Sequence, residues 1–70
     1  MNRTLVQSSN LTSVGYDEFQ TLEIEFESGS IYQYFNVPSS VYHGLMSASS
    51  HGSYFSRYVK DAGFKWNQIR

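Results

Sequence analysis

Cysteine is absent from this 70-residue chain, and proline occurs once, at Pro38. Without thiols there is no disulfide to staple a small fold and no thiolate metal site. Histidine is nearly as scarce. His43 and His51 are the two present, and neither has a carboxylate or second nitrogen at metal-ligand or triad spacing. The expectation is therefore a protein that is not an enzyme, with no catalytic residues, metal or cofactor. No apolar run approaches the ~18 residues of a membrane span, and no leader-like segment opens the chain. No membrane association is expected, and the cytoplasm is the expected location. Lys and Arg number 5 against 6 Asp and Glu, a net charge of −1, which argues against generic binding to polyanions.

Aromatic residues are plentiful: one Trp, six Tyr and five Phe. A single domain of this length buries only ~60% of the surface its unfolded chain exposes. Its core must come from aliphatic and aromatic packing, to which each ring can contribute ~150–250 Å². Rings in excess of the core's needs suit contact with a partner protein or with a second copy of the chain.

The organising stretch is TLEIEFESGSIYQYFNVP, Thr21 to Pro38. Leu22, Ile24 and Phe26 alternate with Glu23, Glu25 and Glu27, the period of a strand with one buried face. Three carboxylates on the other face are expected to look at water. After the connection Glu27-Ser28-Gly29, residues 30–35 are again strand-like. Placing Gly29 at the positive-φ position of a three-residue loop sets Ile24 opposite Tyr32 and Leu22 opposite Tyr34, so that both tyrosines join the apolar face. A slip of one residue would put Ile31, Gln33 and Phe35 there and turn the tyrosines outward. The tyrosine-in register is preferred, because Gly29 then stands where only Gly is unstrained and Gln33 stays out of the core.

Ahead of the hairpin, Thr12, Val14 and Tyr16 alternate with Leu11, Ser13 and Gly15, a third strand whose Gly15 suggests a bulge or an edge position. Residues 1–7 are a flexible start or a short edge strand. Pro38 suits the first turn of a helix, which continues through Val41, Leu45 and Ala48 with Tyr42 and Met46 alongside. Gly44 within it points to close packing or a short, easily frayed element. Ser49 or Ser50 can cap a second helix, whose stripe is Tyr54, Phe55, Tyr58, Val59 and Ala62 and which ends at Gly63. Residues 64–70 form a tail without a period. The expected fold is α+β: a three-stranded antiparallel β-meander followed by two α-helices packed on one face, with the domain at residues 8–63.

Charge is unevenly placed. Residues 1–56 hold Arg3 against Asp17, Glu18, Glu23, Glu25 and Glu27, a net of −4. Residues 57–70 hold Arg57, Lys60, Lys65 and Arg70 against Asp61, a net of +3. The basic end carries Phe64 and Trp66 between its cations, a composition suited to phosphate and base. The best site candidate is Ser49, Ser50, His51, Gly52 and Ser53, a helix start with hydroxyls and free N–H groups that suit a phosphate, with Arg57 and Lys60 following at one and two turns. The plainer reading of the same residues is a serine cap with Gly52 allowing close packing. Tyr32, Tyr34, Tyr54 and Tyr58 are either core residues or stacking surfaces.

Together, Val14-Gly15-Tyr16-Asp17, Leu22-x-Ile24-x-Phe26, Gly29, Tyr32-x-Tyr34, Val37-Pro38, Val41-Tyr42, Leu45, Ala48-x-Ser50-x-Gly52 and Tyr54-Phe55 resemble the KTSC domain over about residues 8 to 60. Ser56 stands where that family has Asn, and Val59 where Ile is common. KTSC domains occur as whole small proteins of bacteria and phages, and as an extra C-terminal domain on some lysyl-tRNA synthetases. The resemblance implies a structural role for the tyrosine pair and RNA as a partner class. Three functions are carried forward. The first is a module for RNA or single-stranded nucleic acid, using Ser50 to Ser53, Arg57, Lys60, Lys65 and Trp66. The others are a protein-interaction or self-associating domain, and a binder of a small phosphorylated ligand or nucleotide at the second helix start.

Overall fold

The computed structural model describes all 70 residues. The central hairpin forms as expected from its residues. Strand β3 (Leu22–Phe26) pairs antiparallel with β4 (Ile31–Tyr34), with Leu22 opposite Tyr34 and Ile24 opposite Tyr32. Phe26 N–H donates to Ser30 O at 2.9 Å, and Gly29 adopts φ 94°. This is the three-residue loop in which a left-handed glycine restores the ladder. Both tyrosines lie on the helix side.

The sheet has five strands in the order β1-β2-β3-β4-β5, where three were expected. Strand β1 (Arg3–Leu5) pairs with β2 (Leu11–Tyr16), and β5 (Trp66–Gln68) returns from the far end of the chain to pair with β4. Both additions are three-residue edge strands exposed along most of their length. With neither face well buried, they carry no hydrophobic alternation to read.

Strand β2 departs from strict alternation. The register shifts between Leu11 and Ser13, so Leu11 joins Val14 in the core while Ser13 faces the other way. The bulge is there and not at Gly15, which sits in an internal strand. A Cβ on Gly15 would lie 2.9 Å from both the Asn2 carbonyl oxygen and the Met1 sulfur. Gly15 is therefore the place where the N-terminal segment closes down on the sheet.

Helix α1 (Ser39–Ser47) begins one residue after Pro38, which serves as its extended N-cap (φ −60°, ψ 148°) and not as a first-turn residue. Helix α2 (His51–Tyr58) is capped by Ser50, whose hydroxyl accepts from Ser53 N–H at 3.2 Å. A 3₁₀ turn over Lys60–Ala62 follows and ends at Gly63, φ 85°. Both helices cover one face of the sheet. Leu45 of α1, Phe55 of α2 and Val59 just beyond it close over Leu11, Val14, Leu22, Ile24 and Tyr34. Tyr16 ties the sheet to α1. Its hydroxyl donates to Val37 O at 2.5 Å, and its ring stacks on Tyr42 with centroids 4.7 Å apart. The turn before β3 is held by Asp17 Oδ1, which accepts from Phe19 and Thr21 N–H at 2.9 and 3.0 Å.

The face without helices is not simply wet. Glu23, expected in water, is 4% exposed. Arg3 Nη1 meets Glu23 Oε2 at 2.6 Å, and Gln33 Nε2 donates to Oε1 at 2.8 Å. Arg3 Nε donates to Ser13 Oγ, which donates in turn to Glu25 Oε1. Arg70 reaches Glu25 from the other edge at 3.1 Å, and Glu27 alone remains exposed. Burial by itself would raise the Glu23 carboxyl. The hydrogen bonds from Gln33 and Arg3 and the Arg3 charge outweigh that and hold it below its ordinary value.

Two outcomes follow. A folded-state pKa depressed below the ordinary Glu value of ~4.3 contributes stability that is present above that pH and lost as pH falls through the folded value. Denaturant unfolding across pH 2–7 should show this acid loss, and Glu23→Gln should flatten it. Arg3→Met should cost ~2–3 kcal/mol at neutral pH, because the buried carboxylate loses its cation. The second outcome concerns Gly44, where an added Cβ would fall on the Tyr54 hydroxyl while the Tyr54 ring is held against Tyr58 at 4.5 Å. Helix propensity alone favours Gly44→Ala by ~1 kcal/mol. Thermal melts should instead show destabilisation, and the same change should become neutral or stabilising in a Tyr54→Ala background.

Candidate functional site

The helix-side face of the hairpin runs past the end of α2 and forms a groove there. Its outer half is a hollow of ≈ 390 Å³ lined by Phe26, Ser28, Ser30, Tyr32, Tyr34, Phe55, Lys60 and Trp66. Its inner half is a hollow of ≈ 370 Å³ that shares Phe26, Ser28, Phe55 and Lys60 and adds Ser9, Asn10, Leu11, Glu27, Gly52 and Ser56. Lys60, on the 3₁₀ turn, belongs to both.

Aromatic geometry shapes the outer half. Tyr32 is met edge-on by Phe26 at 5.5 Å and 89°, and lies 6.3 Å from the nearly parallel Tyr34 ring. Phe55 packs edge-on against both Phe26 and Tyr34. Trp66 stands over Tyr32 with centroids 5.3 Å apart and a 43° tilt, and it is 59% exposed. The buried Tyr34 phenol is pushed up to about 12, first by desolvation and then by Tyr32, so it stays a neutral hydroxyl at working pH. The groove thus offers free ring faces and one cation, with the Glu27 carboxylate at its inner end. No group of three or more His, Cys, Asp or Glu is placed to hold a metal ion.

The candidate residues read from the sequence divide among three places. Lys60 and Trp66 meet in the aromatic groove, joined by Tyr32 and Tyr34. Ser49, Ser50, His51, Gly52 and Ser53 line a polar hollow of ≈ 220 Å³, facing residues 7–10, which adjoins the groove's inner half through Ser9, Asn10 and Gly52. Three of its helix-start side chains, Ser50, His51 and Ser53, are already engaged. The Ser50 hydroxyl accepts from Ser53 N–H and donates to Ser53 Oγ. His51 Nδ1, as the N–H tautomer, donates to Leu45 O at 2.7 Å, which fastens the start of α2 to the end of α1. A Cβ on Gly52 would stand 3.2 Å from the Asn10 amide nitrogen, so glycine there allows the β1–β2 connection to approach. Arg57 and Lys65 line neither hollow. The Arg57 guanidinium lies over the Tyr58 ring at 5.6 Å, and the Lys65 carbonyl accepts from Phe35 N–H at 2.9 Å.

Phe26, Phe55, Ser28 and Ser30 belong to the groove and were not singled out from the sequence. Phe26 and Phe55 were visible as core-stripe residues. Nothing in the tail's pattern announces a fifth strand that carries Trp66 to Tyr32.

Comparison with known proteins places this geometry in a family. The KTSC domain matches residues 7–64. An uncharacterised protein of Stutzerimonas stutzeri is 43% identical over 70 residues, covering 99% of each chain. A lysine–tRNA ligase of Nostoc punctiforme is 50% identical over 50 residues, which are 71% of this chain and 9% of that protein. The crystal structure of a KTSC domain protein from Yersinia pestis superimposes with a TM-score of 0.90 at 39% identity, covering 99% of this chain and 97% of that one.

His51→Ala removes the side-chain bond from α2 to Leu45 O and leaves that carbonyl only the weaker bond from Ala48 N–H. Thermal unfolding should register a loss of ~1 kcal/mol, and zinc or nickel added to the original protein should leave its melting temperature unchanged.

Proposed function

The chain belongs to the KTSC domain family, and on that premise we propose that it is a non-catalytic module that binds RNA or another single-stranded nucleic acid in its aromatic groove. One observation carries the reading: the exposed Trp66 ring, held over Tyr32 at 5.3 Å in a hollow that also contains Lys60. A free ring face beside a cation is the arrangement on which a base stacks while its phosphate meets the charge. Arg57 and Lys65, exposed on either side of the 3₁₀ turn, extend the positive end over which a strand would run, while Glu27 disfavours phosphate at the inner end. The similarity to part of a lysine–tRNA ligase supports RNA as the nucleic acid. The polar hollow at the start of α2 supports a phosphate less well, because Ser50, His51 and Ser53 are bonded internally. A non-catalytic role is supported by the groove chemistry: its one carboxylate, Glu27, shares the hollow with serine hydroxyls and Lys60 but with no histidine to act as their base.

Quenching of the single tryptophan on titration with short unstructured RNA tests this. Affinity should fall as salt rises, with a log–log slope near −0.7 for each phosphate engaged, and Lys60→Gln should remove about one such increment. Trp66→Ala should weaken binding by ~1–3 kcal/mol, roughly 5- to 150-fold, without loss of fold. Absence of binding at low salt, or affinity indifferent to salt and to Trp66→Ala, would overturn the reading.

A further inference from the structure

The outer edge of β5 is free, and its hydrogen-bond pattern can be derived from the ladder. Phe35 N–H donates to Lys65 O, and Ile69 N–H donates to Ile31 O. With Gln33 opposite Asn67, the alternation of an antiparallel pair assigns the inward bonds to residues 65, 67 and 69, and past the strand Arg70 turns inward as well to share Ile31 with Ile69. The N–H and C=O groups of Trp66 and Gln68 therefore point off the sheet. No charge lies within the strand, and Trp66 at its start and Ile69 just past its end are 59% and 48% exposed. An uncharged edge with apolar side chains and unpaired groups is a template for another strand.

We propose that the occupant is a second copy of this chain, pairing β5 with β5 antiparallel about a two-fold axis at Asn67. The edge is complementary to itself. Trp66 exchanges both backbone hydrogen bonds with Gln68 of the second copy, and Gln68 does the same with its Trp66, giving four bonds and a continuous ten-stranded sheet. Lys65 falls opposite Ile69 of the second copy, and its methylene stem covers that isoleucine. The two Trp66 rings stand on one face at the diagonal spacing of ~7–8 Å, so two grooves open into one trough. Three strand residues bury less than the roughly 1,200 Å² of a standard interface, so the dimer is concentration-dependent, with Kd in the range ~10 µM to ~1 mM. It stands or falls independently of nucleic-acid binding.

The lack of native cysteine makes the register directly testable. Asn67 and its copy form the non-hydrogen-bonded pair, with Cα atoms ~4.5 Å apart, within disulfide range. Under mild oxidation Asn67→Cys should cross-link at least about tenfold faster than Leu5→Cys, a control on the opposite edge. Sedimentation should show the original protein's mass rising from one chain toward two as concentration increases. Gln68→Pro removes an N–H that points off the edge and one exposed side-chain bond to Arg70 O, so it should keep the far-ultraviolet circular dichroism of the fold and remain monomeric. A monomer at every concentration to ~1 mM, equal cross-linking of the two cysteine variants, or a folded Gln68→Pro that still dimerises would each overturn the proposal.

Discussion

One backbone constraint sets the rest of this molecule: the left-handed conformation of Gly29 at the corner of the central hairpin. A loop of three residues with its third in that conformation admits one register, and a strand's period of two does the rest. Ile24 meets Tyr32, Leu22 meets Tyr34, and both phenol rings turn toward the helices, while Glu23, Glu25 and Gln33 share the other face. Shifting the loop by one residue would exchange every one of these side chains. The core, the buried carboxylate and the aromatic groove are three consequences of the same turn.

The two faces are stabilised differently. On the helix side the work is burial: Leu22, Ile24 and Leu45 are fully enclosed, and Phe55 locks edge-on between Phe26 and Tyr34. On the open side a buried carboxylate is tolerable because its oxygens are met by Arg3 and Gln33. That network also joins strands far apart in the chain, from Arg3 in β1 through Ser13 and Glu25 to Arg70 after β5. In a chain without disulfides, it clasps the two terminal segments to the sheet.

How much of this could be read from residues alone follows from where the physics is local. The hairpin, its register and its glycine were legible, since alternation and a three-residue loop are local facts. So were the serine cap at Ser50 and the left-handed stop at Gly63. The Leu11 bulge was not, because an extra residue in one strand is defined only by its partner. Glu23 was misplaced in water for a similar reason: its cation Arg3 and its amide donor Gln33 lie twenty and ten residues away. Strand β5 escaped notice because Trp66, Asn67 and Gln68 are exposed on both faces and owe their conformation to the free edge of β4. With β5 went the groove, since Trp66 reaches Tyr32 only through that pairing. Ser49 to Ser53 attracted attention as a helix start with hydroxyls, and the structure occupies most of those groups with the helix's own cap and the His51 clasp.

The most direct test of the register is a proton NOE experiment on the central hairpin. Phe26 N–H bonding to Ser30 O makes Glu23–Gln33 and Glu25–Ile31 the close, non-hydrogen-bonded pairs. Strong cross-strand contacts between the α-protons of Glu23 and Gln33, and between those of Glu25 and Ile31, are the predicted result. Contacts displaced by one residue, linking Glu23 to Tyr32 or to Tyr34, would turn the rings to the acidic face and contradict the account.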